Sequence, residues 1–134
     1  MASQDGATRH QARERALSLL YEAEMKGVTP SEVLASLPVA PDAFATELVQ
    51  VAERHATAAD ELIEAASVGW PLERMAVIDR LVLRLAVAEL LEENGPPVAV
   101  VIDEAVELAK TYSTDDSGGF VNGVLSTVAR QVRP

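Results

Sequence analysis

Apolar residues recur at three- and four-residue spacing through nearly the whole sequence, and glycine- and proline-rich breaks interrupt them in a few places. That periodicity is the signature of amphipathic helices. A first helix is expected over residues 8–26, with Ala12, Ala16, Leu19, Leu20 and Ala23 on its apolar face and Gly27 at the C′ position that favours glycine. Thr29 reads as the N-cap of a short second helix with Pro30 at its first position, and Pro38 and Pro41 bracket its exit. A long third helix is expected over roughly 42–68, its buried stripe supplied by Phe44, Leu48, Val51, Ala52, Ala59, Leu62 and Ile63. Gly69-Trp70-Pro71 stops it, with Trp70 reading as a packed corner. Residues 72–75 suit a helical turn before a strongly apolar helix, 77–93, which Asn94-Gly95-Pro96-Pro97 ends. Helices over about 98–112 and 119–130 follow. Val98 to Ile102 has strand propensity, but its continuation through Ala105, Val106 and Ala109 is helical and no partner strand is in sight. The expected fold is all-α: six to seven helices in one domain spanning 1–134, with an N-terminal half over about 8–68 and a C-terminal half over about 72–132.

At 134 residues the chain has room for one real core. Aromatics make up only 4%, so that core must be built from alanine, leucine, valine and isoleucine. The absence of cysteine excludes a disulfide scaffold, thiol catalysis and cysteine-ligated zinc. The first six residues lack the basic and apolar regions of a signal peptide, and no run of about 18 apolar residues offers a membrane span. A cytoplasmic protein without cofactor or metal is expected. The net charge of −10 would ordinarily argue against nucleic acid, but it is unevenly spread. Residues 1–21 hold three arginines against two acids, whereas the other 113 carry eight basic and nineteen acidic residues.

Three segments stand out. On the first helix Arg9, Arg13, Leu17 and Tyr21 follow one another at four-residue spacing, with His10 beside them. Such a row offers guanidinium groups to phosphates and a phenol ring to a base; the plainer reading is an ordinary surface row with Tyr21 half-buried. The helix over 77–93 is apolar most of the way round, which suits either a central helix or a docking face with Leu83 and Val87 in contact and Asp79 and Arg84 at its edge. Asp116-Ser117-Gly118-Gly119 mimics a serine-protease loop by chance, since neither His10 nor His55 has a claim to activate Ser117. It reads better as a helix start capped by Asp115, Asp116 and Ser117. In the last helix Gly123 suggests a close helix contact, and Phe120 is either core or an exposed stacking ring. Nothing in the sequence is an enzyme signature.

Asp103 to Lys110, followed by Asp115-Asp116-Ser117 and Phe120-Val121-Asn122-Gly123-Val124-Leu125, resembles the C-terminal signature of the bacterial transcription antitermination factor NusB family. Arg9 to Leu17 with Leu20-Tyr21 resembles that family's first helix, and Asp79-Arg80 through Leu83-Arg84 to Glu89-Leu90 its central one. The resemblance implies an adaptor without chemistry. It would bind the boxA element of nascent RNA together with the ribosomal small-subunit protein NusE and help load antitermination complexes on RNA polymerase, notably on ribosomal RNA operons. It places Arg9, His10, Arg13, Tyr21, Asp116 and Phe120 at the RNA, and Asp79, with Leu83, Arg84 and Val87, at the protein partner. A homodimer, a purely protein-binding helical adaptor, and an RNA-binding module serving a separate RNA methyltransferase are the competing expectations. His10 and Gln11 stand where many relatives carry arginines, so weak RNA binding by the protein alone is expected, with a shallow salt dependence.

Overall fold

The computed structural model describes residues 8–134; the N-terminal stretch read above for a signal peptide lies outside them. It contains α1 (Arg9–Lys26), α2 (Pro30–Ser36), α3 (Ala43–Arg54), α4 (Ala56–Ala66), a single 3₁₀ turn (Leu72–Arg74), α5 (Val77–Leu91), α6 (Val98–Tyr112) and α7 (Ser117–Val132). No strand occurs among the described residues, and the β-prone run at Val98 opens α6.

Local chemistry sets the helix ends. Thr8 and Thr29 each form a capping box, with Gln11 and Glu32 reaching back to the cap backbone, and Pro30 occupies the first turn of α2. Gly27 ends α1 in the left-handed region at φ 67°, where a side chain would be strained. Asp42 caps α3 by accepting from the Phe44 and Ala45 N–H groups.

The long third helix expected over 42–68 is two helices. His55 ends α3 and begins α4, and the chain turns there with neither glycine nor proline. The His55 Nε2 lies 2.7 Å from Glu92 Oε2 beyond the far end of α5, tying the corner across the fold. This turn lets α3 pack on α1 and α2 while α4 lies on α5 and α7.

Helix α5 is the centre. It touches α1, α3, α4, α6 and α7, and Leu81, Val82, Leu83, Leu85, Ala86, Val87, Ala88 and Leu90 are all buried around its circumference. Its apolar surface is therefore consumed by the fold. Leu83 and Val87 are both 0% exposed, so neither contributes to a docking face. Gly123, expected at a close helix contact, is exposed with open space where a Cβ would stand. The close approach falls instead at Gly118, where a Cβ would sit 3.0 Å from Lys110 Cε and 3.1 Å from its Cγ.

Candidate nucleic-acid and partner interface

A four-residue step advances a helix by about 40° beyond a full turn, so three steps carry Tyr21 about 120° from Arg9. The row therefore runs down into the core and out again. Arg9 and Tyr21 are exposed, whereas Arg13 and Leu17 between them are buried. Arg13 makes a forked ion pair with Glu89 of α5, Nε to Oε2 at 3.1 Å and Nη2 to Oε1 at 2.8 Å, and its Nη1 lies 3.7 Å from Glu104. Both side chains of the fork are almost wholly buried. Arg13 thus has no free face for a phosphate, and its expected place at the RNA is replaced by a structural one. The periodicity located the buried stripe without revealing that a charged pair joins its edge.

At the start of α1, the Arg9 guanidinium lies 4.5 Å from the centroid of the Phe44 ring, a cation–π stack. Both residues border a groove of about 560 Å³ that also reaches Glu47, Val51, Glu92 and Pro97. His10 Nδ1 is 3.1 Å from Glu104 Oε1 and its Nε2 is 3.8 Å from Glu14 Oε2. Tyr112 donates its hydroxyl to the same Glu14 at 2.5 Å, and that hydrogen bond, with partial desolvation and the carboxylate's charge, raises the phenol's pKa. Carboxylates therefore hem in His10, and Arg9 and Arg15 are the exposed cations of the first two turns.

Glu92 at the groove's edge is held below the usual carboxylate range, first by its hydrogen bond with His55, against some desolvation, and then by the charges of Arg54 and His55. Because the folded value is lowered, Glu92 stabilises the fold above its ordinary value of 4.5, and that contribution is lost as pH falls through the lower folded value. Glu92→Gln should therefore be less stable than the parent at neutral pH, with the difference closing in the acid range. Urea unfolding of both proteins along a pH series measures it; a difference independent of pH would refute the assignment.

Asp79, Asp116 and Phe120, which the family resemblance divides between protein and RNA, meet at one cavity. It has a volume of about 370 Å³ and lies between the start of α5 and the start of α7, with Trp70 and Arg74 from the preceding turn on its wall. Trp70 is half exposed here and is no packed corner. Asp116 precedes α7 without bonding any helical N–H through its side chain. Ser117 is buried, accepting from the Thr114 N–H and donating to Ser113 Oγ, so it closes the turn before α7 and is no nucleophile. Arg84 is elsewhere. It forks onto Asp60 at 2.6 and 3.0 Å and approaches Glu24 at 3.6 Å, bracing α5 against α4 and α1 beside a different cleft. Trp70, which the sequence reads as a packed corner, is half exposed, whereas Phe44, read as part of the buried stripe, is partly buried and packs against the core while its ring also faces the groove.

Residues 10–130 match the NusB family. Among solved structures, NusB of T. maritima superposes with a TM-score of 0.85 at 33% identity, covering 96% of this chain and 94% of that one. The solution structure of NusB from Aquifex aeolicus gives 0.75 at 31% identity, over 91% and 87%. A crystal structure of the antitermination factors NusB and NusE in complex with double-stranded RNA gives 0.76 at 32% identity, over 92% and 96%. With a match that runs from the first helix to the last and the same helical architecture, the chain belongs to the NusB family.

Proposed function

We propose that this protein is a transcription antitermination factor that acts in the cytoplasm by binding, without chemistry of its own. It binds the boxA element of nascent RNA together with NusE and supports antitermination on ribosomal RNA operons. The observation that carries this reading is the likeness, over 92% of this chain, to the structure of NusB and NusE in complex with double-stranded RNA. The net charge of −10 suits a basic ribosomal protein as partner and steers its approach.

RNA affinity without the partner should be low. With Arg13 engaged by Glu89 and His10 flanked by Glu14 and Glu104, few cations are left to displace counterions. Fluorescence anisotropy of a boxA RNA and a scrambled control, with this protein, with NusE and with both at two salt concentrations, tests the reading. Tight, sequence-dependent binding only with both proteins is the expected result. No RNA binding with both present would overturn it, and nanomolar binding by this protein alone would overturn the partner's role.

Tyr21 is 41% exposed, so its loss should spare the fold. Tyr21→Ala should weaken RNA binding by the two-protein complex by about 1–3 kcal/mol if the ring stacks on a base. Unchanged RNA affinity, or a lowered melting temperature in its place, would remove Tyr21 from the RNA surface.

A further inference from the structure

The turn that follows α5 contains Asn94-Gly95, a pair with chemistry of its own. An Asn–Gly peptide nitrogen that loses its proton attacks the asparagine Cγ. The new N–Cγ bond closes a succinimide, and the side-chain nitrogen leaves with that proton as ammonia. Water then opens the ring at either carbonyl and gives aspartate or isoaspartate, with no oxidation or reduction. Glycine favours the attack because it brings no Cβ to crowd the nitrogen. Asn94 is exposed, so its side chain is open to this reaction, but the Gly95 nitrogen is not free. Its N–H donates to the Glu92 carbonyl at 3.1 Å. The Arg133 guanidinium grips the carbonyls on both sides, Glu92 at 3.4 Å and Pro96 at 2.6 Å. Where a Cβ of residue 95 would stand, the Glu89 carbonyl oxygen is 2.5 Å away and Arg133 Nη2 is 2.7 Å away. The fold thus supplies the crowding that glycine withholds. The chain's other Asn–Gly pair, Asn122-Gly123, lies inside α7, where the regular helical backbone holds it. One pair is guarded by a helix, the other by a single side chain.

We propose that Asn94-Gly95 is a latent modification site, closed by the Arg133 clasp and converted to aspartate or isoaspartate when that clasp opens. The Gly95 nitrogen must leave its bond to Glu92 before it can reach Cγ, so the reaction draws on the open fraction of the loop. The positive charge of Arg133 eases loss of the amide proton only once that bond is broken. Conversion runs one way. Isoaspartate carries an extra main-chain carbon, so the converted loop no longer fits back onto the guanidinium. Either product also adds a carboxylate to the groove that Asn94 shares with Arg9 and Phe44. On the antitermination reading, on which only this consequence rests, a negative charge then faces an exposed cation of the first helix and weakens RNA binding.

Incubating the full chain in mildly alkaline buffer and following both Asn–Gly pairs by peptide mapping measures the rates, through the mass gained when NH is exchanged for O. In the folded parent both pairs should convert at least tenfold more slowly than in the same chain unfolded in urea. Arg133→Ala should convert Asn94 at least tenfold faster than the parent and leave Asn122 unchanged, because only the loop has opened. A parent that converts Asn94 as fast as the unfolded chain would show that the site is unguarded. Unchanged conversion of Asn94 in Arg133→Ala would remove the clasp as the guard. A rise at both pairs together would show that the reaction passes through global unfolding, which also overturns the proposal. Converted protein and Asn94→Asp, each with NusE, should bind boxA RNA severalfold more weakly than the parent at low salt. Equal affinity would remove the consequence for RNA. Failure of the parent to bind RNA with NusE would overturn the antitermination reading and leave the conversion rates as the test of the site.

Discussion

Arg13→Ala is expected to lower the unfolding free energy by about 3–5 kcal/mol, the range for removing one partner of a buried ion pair. The guanidinium is 3% exposed and its forked partner Glu89 is 6% exposed, so truncation leaves a carboxylate in the core with little access to water. Glu104, 3.7 Å from Nη1, would lose its nearby cation as well. Lysine should restore little, because a single ammonium cannot reproduce two parallel N–H bonds. A double change to Arg13→Met and Glu89→Leu should recover much of the loss, since it removes both charges together. Urea denaturation of the four proteins measures this directly. The result bears on function too: an RNA assay on Arg13→Ala alone would report unfolding as lost affinity. If Arg13→Ala is as stable as the parent and binds RNA more weakly, the arginine belongs to the RNA surface after all.

The contrast between Arg13 and Arg9 shows what a sequence of this kind reveals. Helix ends were legible at Gly27, at Thr29-Pro30 and at Asn94 to Pro97, because each rests on a local conformational preference. The helical reading of Val98 to Ile102 was legible from the period that follows it. The corner at His55 was not, since it is held by a contact with Glu92, 37 residues away, and carries no breaker of its own. Arg13 and Glu89 are 76 residues apart, so their pairing is invisible to any window along the chain. Leu83 and Val87 were ambiguous for a related reason. An all-round apolar helix announces that it must be covered, and whether its cover is the same chain or a partner is a question of topology. Here α1, α3, α4, α6 and α7 supply the cover, and at the start of α5 Asp79, itself buried, borders the cavity shared with α7.

The far end of α5 yields the second large effect. The Gly95 N–H reaches the Glu92 carbonyl at 3.1 Å, and Arg133, just past α7, takes over the last carbonyls with its side chain. Nε donates to the Leu90 carbonyl at 3.0 Å, Nη2 to Glu89 at 3.1 Å and Glu92 at 3.4 Å, and Nη1 to Pro96 at 2.6 Å. One guanidinium thus satisfies the helix end, complements the negative end of its dipole and fastens the loop that leads into α6. Arg133→Ala should cost about 2–4 kcal/mol, since hydrogen bonds from a charged group contribute about 1.5–3 kcal/mol each and water, at this partly buried site, recovers some of them. Gly95→Ala probes the same clasp from the other side. A Cβ there would lie 2.5 Å from the Glu89 carbonyl oxygen and 2.7 Å from Arg133 Nη2, so the loop must lift off the arginine, at about 1–3 kcal/mol. Because both changes open one contact, the double variant should lose clearly less than the sum of the two. Additive losses in denaturant titrations would show two independent sites, and an Arg133→Ala protein within about 0.5 kcal/mol of the parent would show that water alone can close the end of α5.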